Sequence, residues 1–318
     1  MAVLDDYQGR AREFADWDSL GGDVEVTFFA RPIVRDALAD ALADFDVLVL
    51  MRERTAFPAA VLERLPRLQL VVTTGMRNAS LDSDHLRGRG VPVSGTGMTG
   101  SSGQGLASTV EVAWALILAV CKRVTLEDRA LRDGHWQLGL PTNLGGATLG
   151  LAGLGRLGGA MVAPGRVFGM DVIAWSEHLT DERAAEFGVR AVSKEELLER
   201  SDVLSVHLVL GERTRGLFGA AELALMKPTA VLINTSRGPI VDERALVDAL
   251  RSGTIAAAGL DVYDQEPLAP DNELLSLENT VLLPHLGYVS EHALRSMYAD
   301  VVADIAAFRA GAPIRLLT

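Results

Sequence analysis

The sequence predicts an α/β protein built from two doubly wound parallel-sheet domains. Three observations predict it. Short continuous apolar runs alternate with amphipathic stretches along almost the whole chain. The alternation breaks once, at the Gly/Ser/Thr-rich segment Ser94–Gly105, and then restarts. The chain also has 318 residues, more than the roughly 250–300 that one core serves. Strands that read as unbroken apolar runs are those covered on both faces, which is the situation in a parallel sheet wrapped by crossover helices.

Taken in order, the first-domain strands are expected at Val3–Leu4, Val24–Phe29, Val47–Met51, Leu70–Thr73 and Val91–Val93. Helical stretches such as "RPIVRDALADALADF" and "PAAVLERLPRL" separate them. "SGTGMTGSSGQG" is too rich in small polar residues to be a regular element. A long apolar helix follows, about Thr109–Val124, and the two together read as the crossing between domains. From Thr148 six strands recur: "TLGLAG", "DVIAWS", "DVLSVHL", "AVLINT", "IAAAGLDVY" and "TVLLPH". That is a sheet of dinucleotide-binding size. The tail "SEHALRSMYADVVADIAAFRAG" is one more amphipathic helix, suited to packing back onto the first domain.

Composition narrows the function. A net charge of −12 argues against nucleic acid or a membrane surface as partner, so a basic site must be local. The single cysteine, Cys121, excludes an internal disulfide and a cysteine-based zinc site. It lies in the apolar run "VEVAWALILAVCKRV" and reads as an inert core thiol. No leader and no apolar run of about 18 residues is evident, so a soluble cytoplasmic protein is expected.

"LGLAGLGRLGGAM" contains Gly153-Leu154-Gly155-Arg156-Leu157-Gly158, at the end of an expected strand and the start of an expected helix. In that setting Gly153 permits the tight turn, Gly155 lets the backbone approach a pyrophosphate, and Gly158 lets helix and strand pack closely. The helix N-terminus supplies N–H groups to the phosphates. With 31 glycines in the chain, the spacing alone is weak; its context makes it informative.

Ligands of an open parallel sheet bind beyond the carboxyl ends of its strands. In the second half those ends carry Gly153, Ser176, His207, Thr235 to Arg237, Asp261 and His285. Arg237 places a cation suited to a carboxylate or carbonyl oxygen at the tip of a buried strand, and Gly238 beside it leaves room for a close approach. His285 is a proton donor and acceptor suited to neutral pH. Glu266 lies a few residues past the preceding strand, where a carboxylate would orient an imidazole, although spacing alone does not establish contact. An arginine, a histidine and a glutamate around one cofactor crevice are what reduction of a 2-oxo acid needs.

These segments, in this order, resemble the D-isomer-specific 2-hydroxyacid dehydrogenases over nearly the whole chain. "GMRNASLD" is similar to the family's substrate loop, "GLGRLG" to its nucleotide turn, "INTSRGPIVDE" to its arginine segment, "GLDVYDQEPL" to its glutamate segment and "LLPHLGY" to its histidine segment. The resemblance implies a Rossmann NAD(P)-binding domain, residues 105–288, inserted in a split flavodoxin-like substrate domain, residues 1–104 plus 289–318. It implies a homodimer joined through the nucleotide domains. It assigns Arg237 to substrate binding, His285 to acid/base catalysis and Glu266 to its partner. It sets Arg156, Leu157, Thr235, Asp261 and Gly287 near NAD. The backbone of Met76, Arg77 and Asn78 would hold the substrate carboxylate, with Arg77 a candidate second anion contact.

The sequence departs from the family pattern at Gly75-Met76-Arg77-Asn78, at Pro164 within the expected nucleotide-domain helix, where a kink is expected, and at Tyr288. The second strand of the nucleotide domain ends in neutral Ser176, where an acidic residue is common. Glu177 and His178 follow, and the next arginine is Arg183. NAD is therefore expected as the preferred cofactor, with NADP possible. Two other readings share this fold: a non-catalytic NAD(H)-sensing protein, and a dehydrogenase of a small anion such as formate or phosphite.

Overall fold

The computed structural model describes residues 1–97 and 104–317, so part of the Ser94–Gly105 stretch lies outside the described residues. The chain divides into two compact units. One comprises Met1–Gly105 with Ser290–Thr318, and the other Leu106–Val289.

The first unit holds a five-stranded parallel sheet. Its strands are β1 (Ala2–Val3), β2 (Thr27–Phe28), β3 (Val47–Leu50), β4 (Leu70–Thr73) and β5 (Val93–Gly95), in the order β2-β1-β3-β4-β5. This is the flavodoxin-like order. The expected Val24–Phe29 strand shrinks to two residues, and only Arg35–Ala37 and Leu38–Leu42 of the expected Arg31–Phe45 helix form short helical turns. The tail helix, Glu291–Arg309, packs on this unit. Tyr298 is 2% exposed against Phe14 and Trp17, and Leu317 N–H donates to the Val93 carbonyl at 2.8 Å. Ser290 starts the helix because its hydroxyl accepts from Ala293 N–H, an N-cap that satisfies one orphan amide.

The second unit holds seven parallel strands: β6 (Thr148–Ala152), β7 (Asp171–Trp175), β8 (Arg190–Ala191), β9 (Val203–Val206), β10 (Val231–Asn234), β11 (Ala257–Leu260) and β12 (Thr280–Leu282). Their order is β12-β11-β10-β9-β6-β7-β8, the doubly wound arrangement whose order reverses beside β6. Six of these were expected; β8 is the addition. Alternate residues pack to opposite faces. Leu204, Val206 and Leu232 join a core with Leu246 and Leu250 of helix Glu243–Ser252, whereas Val203, Val231 and Ile233 join one with Trp114, Leu116 and Ile117. Burial on both faces explains the unbroken apolar runs, each fully buried aliphatic side chain contributing about 1.5–3 kcal/mol. Cys121 is 4% exposed in the second core, and burial pushes its thiol up to about 11, in keeping with an inert role. The helix Arg156–Val167 continues across Pro164. Among the described residues no helix is long and apolar enough to cross a membrane, and no cluster of His, Cys, Asp and Glu is arranged to hold a metal.

Candidate active site

The register of the second sheet aligns its strand ends. Trp175 pairs with Ala152, Ala152 with Val206, Val206 with Asn234, Asn234 with Leu260 and Leu260 with Leu282. The next residue on each strand therefore lies on one line: Ser176, Gly153, His207, Thr235, Asp261 and Leu283. Five of these are the residues that the sequence placed at the crevice. On the sixth strand His285, the remaining residue that the sequence placed there, stands two positions beyond Leu283.

The glycine turn has the local reasons expected of it. Gly153 has φ +104°, and a Cβ there would come 2.6 Å from the His207 carbonyl oxygen; a Cβ at Gly158 would come 2.0 Å from that of Gly153. A Cβ at Gly155 would meet nothing within 4 Å, which leaves an open cradle in front of the amides that begin helix Arg156–Val167. Arg156 is exposed, whereas the Leu157 side chain packs against the core, so only its backbone faces that end. Thr235 is 7% exposed, and its hydroxyl has no hydrogen-bond partner among the described residues. An open phosphate cradle and an orphaned buried hydroxyl on the same line fit a dinucleotide. His207 approaches Ser205 Oγ through Nε2 at 2.9 Å, and desolvation lowers it to about 4, so it is neutral at physiological pH.

Arg237 leaves β10 through a locked turn. Asn234 Nδ2 donates to the Arg237 carbonyl at 3.0 Å, and Asn234 Oδ1 accepts from Ser236 N–H at 3.0 Å. Gly238 is required for a reason different from the expected one. A Cβ there would come 2.0 Å from the Tyr263 carbonyl carbon, so it is the chain's own Tyr263–Asp264 backbone that comes close. That contact brings the arginine segment against the glutamate segment.

Glu266 Oε2 lies 2.6 Å from His285 Nδ1, and Glu266 Oε1 accepts from Tyr263 N–H at 3.0 Å. A carboxylate only accepts, so Nδ1 carries the proton and Nε2 is left for chemistry. Burial by itself would raise the Glu266 carboxyl, but the His285 bond and charge, the Tyr263 N–H and the Arg237 charge together hold it below its ordinary range. The two side chains are 19% and 27% exposed, enough for a small ligand to reach them. His285 itself has φ +54°, a strained conformation for a residue with a side chain. The strain is held by Asp261, fully buried, whose carboxylate accepts from Leu286 N–H at 2.7 Å and Gly287 N–H at 2.8 Å. Thr109 Oγ1 donates to the Gly287 carbonyl at 2.7 Å from the other side. Desolvation raises Asp261 to about 6, against the pull of those amides. Sequence reading set Asp261 beside the cofactor and did not reveal this clamp. Tyr288 stands edge-on to the His285 ring at 5.3 Å.

The Gly75–Asn78 loop belongs to the other unit. Gly75 has φ +98°, and its N–H donates to Thr96 Oγ1 at 2.8 Å. The Asn78 side chain is committed to the loop itself, donating to the Arg52 carbonyl at 2.7 Å and to Thr73 Oγ1 at 3.0 Å. Only its backbone is left for the expected role. Met76 and Arg77 are exposed.

A hydrogen-bonded histidine–glutamate pair, an arginine and a glycine turn, all at the carboxyl ends of one parallel sheet, constrain the family strongly, and comparison decides it. Residues 114–287 match the sequence model described as D-isomer specific 2-hydroxyacid dehydrogenase, NAD binding domain. The chain belongs to the D-isomer-specific 2-hydroxyacid dehydrogenase family. Among its relatives is a glyoxylate reductase of Korarchaeum cryptofilum, 37% identical over 88% of this chain and 84% of that protein. A D-3-phosphoglycerate dehydrogenase of Archaeoglobus fulgidus is 33% identical over 88% of this chain but only 53% of its own length. The crystal structure of a phosphoglycerate oxidoreductase from Vibrio cholerae superposes with a TM-score of 0.91 at 34% identity, covering 98% of this chain and 99% of that one. The chain is thus a 2-hydroxyacid oxidoreductase of this family, with the family's NAD-binding domain in its second unit.

Proposed function

We propose that the protein interconverts a small 2-oxo acid and the corresponding D-2-hydroxy acid, with NAD preferred and NADP accepted. The observation that carries this reading is the 2.6 Å pair between His285 Nδ1 and Glu266, held on the same edge as Arg237 and the glycine cradle. The amides after Gly155, with Ser176, Thr235 and Asp261, would hold the dinucleotide, which when bound supplies or accepts a hydride at C2. Arg237 binds the substrate carboxylate and polarises the carbonyl through its guanidinium fork. His285 gives a proton from Nε2 to the carbonyl oxygen as it becomes a hydroxyl, and takes it back in the reverse direction. Glu266, ionised at neutral pH, orients the ring through Nδ1. Asp261 fixes the turn on which His285 stands. Arg77 is the proposed selector of substrates with a second anionic group.

The test is a panel of 2-oxo acids, uncharged, dicarboxylic and phosphorylated at the far end, with NADH and NADPH, followed at the nicotinamide absorbance. Turnover of at least one member is expected. Binding of NADH without turnover anywhere in the panel would favour the sensing protein.

We also propose a homodimer through the second unit. Leu131, in the last turn of helix Val124–Arg132, and Trp136, Leu138 and Leu140, in the stretch that follows, are 58%, 76%, 57% and 93% exposed. So much apolar surface on one segment marks an interface. Light scattering should give twice the 34.0 kDa chain mass, and Leu140→Asp should shift it toward one chain mass; a wild-type monomer would refute the dimer.

A further inference from the structure

The end of β7 carries a charge arrangement that comes from two distant segments. Glu177 Oε2 lies 3.2 Å from Arg213 Nη1, and the same nitrogen lies 3.4 Å from His178 Nε2. Arg213 belongs to the loop that follows β9, whereas Glu177 and His178 follow β7. In the sheet β6 lies between these strands, so the pair spans the end that carries the glycine turn. The loop is stiffened by Thr214, whose hydroxyl donates to the Val209 carbonyl at 2.7 Å and accepts from Gly211 N–H at 2.9 Å.

In a doubly wound sheet an acidic residue after the second strand bonds the adenosine ribose hydroxyls, and a nearby arginine accommodates a 2′-phosphate. Here both are present and touch each other. Their side chains are 58% and 72% exposed, and an ion pair so exposed to water is weak. Little therefore holds the guanidinium away from a stronger anion. A phosphate offers a near-dianion and matches the arginine fork, while Ser176 at the strand end adds no opposing charge. Arg183, the nearest arginine in sequence, is otherwise engaged: it pairs with Glu186 and stacks on Phe187.

We propose that Arg213 reads the adenosine 2′-position, resting on Glu177 when that position is a hydroxyl and moving onto the phosphate, with His178 beside it, when the cofactor is NADP. Glu177 is then the ribose acceptor for NAD, and the pair makes the enzyme a dual-cofactor dehydrogenase. This rests on the reading that a dinucleotide occupies the Gly153–Gly158 turn.

The experiment titrates NADH and NADPH into the wild type, Arg213→Ala and Glu177→Gln by nicotinamide fluorescence, and measures kcat/KM with each on one accepted 2-oxo acid. Arg213→Ala should lower the NADPH-to-NADH affinity ratio by about tenfold or more, and Glu177→Gln should raise it. Both side chains are largely exposed, so neither variant endangers the fold. A ratio unmoved in both variants, with NADH still binding the wild type, would overturn the role of Arg213 alone. A wild type that binds neither cofactor would overturn the nucleotide reading as well.

Discussion

Replacing His285 by alanine is expected to lower kcat by roughly 10²–10⁴, the range for loss of a positioned acid/base group, while NADH affinity changes little. The cause is local. Nε2 is the ring atom left for chemistry once Nδ1 is engaged by Glu266 at 2.6 Å. Glu266→Gln should fall between wild type and His285→Ala, because an amide still orients the ring but no longer brings the carboxylate's negative charge to it. Stopped-flow single-turnover rates with bound NADH, alongside a fluorescence titration of the cofactor, separate the chemical step from binding. Near-full turnover by His285→Ala would remove it from the mechanism.

Replacing Arg237 by alanine is expected to cost kcat/KM about a hundredfold or more and to abolish saturation by substrate. Two charge-assisted hydrogen bonds to a carboxylate are worth about 1.5–3 kcal/mol each. Arg237→Lys should recover only part of the loss, since an ammonium offers a point charge rather than a fork. The variant also removes a positive charge that helps keep Glu266 ionised, so its pH–rate profile should lose activity at a higher pH on the acid side. The sign follows from the carboxyl: Glu266 is held below its ordinary value, is ionised above it, and loses that ionised form sooner as pH falls once Arg237 is gone. Steady-state kinetics of both variants across pH check this. Unchanged substrate saturation in Arg237→Ala would place the carboxylate elsewhere.

Much of this site was legible in the sequence because parallel strands end where apolar runs end. Ser176, Gly153, His207, Thr235 and Asp261 each follow such a run, and the register then sets them on one line. What stayed hidden are contacts between loops. The Glu266–His285 bond joins residues 19 apart, and it forms because β11 and β12 are neighbours in register, with Leu260 opposite Leu282. The Arg213–Glu177 pair has no sequence signal, since its partners follow strands separated by β6. Gly238 showed a need for close approach but not what approaches, because the Tyr263 backbone that fills the space is fixed only by tertiary packing. The strand β8 is two residues long, Arg190–Ala191, too short to carry a period. The long helix expected over Arg31–Phe45 fails for a local reason: Pro32 and two preferred extended residues open it, and only Leu38–Leu42 carries a buried face.

The central claim is a hydride reduction at C2 directed by Arg237 and His285, and isotope transfer tests it most directly. With NADH deuterated at C4 and a 2-oxo acid that the enzyme accepts, mass spectrometry with chiral separation of the product reads both the bond formed and its configuration. The account predicts one deuterium on C2 of a D-2-hydroxy acid, formed roughly 10²–10⁴ times more slowly by His285→Ala. An L-configured product, or a product without label at C2, would contradict it.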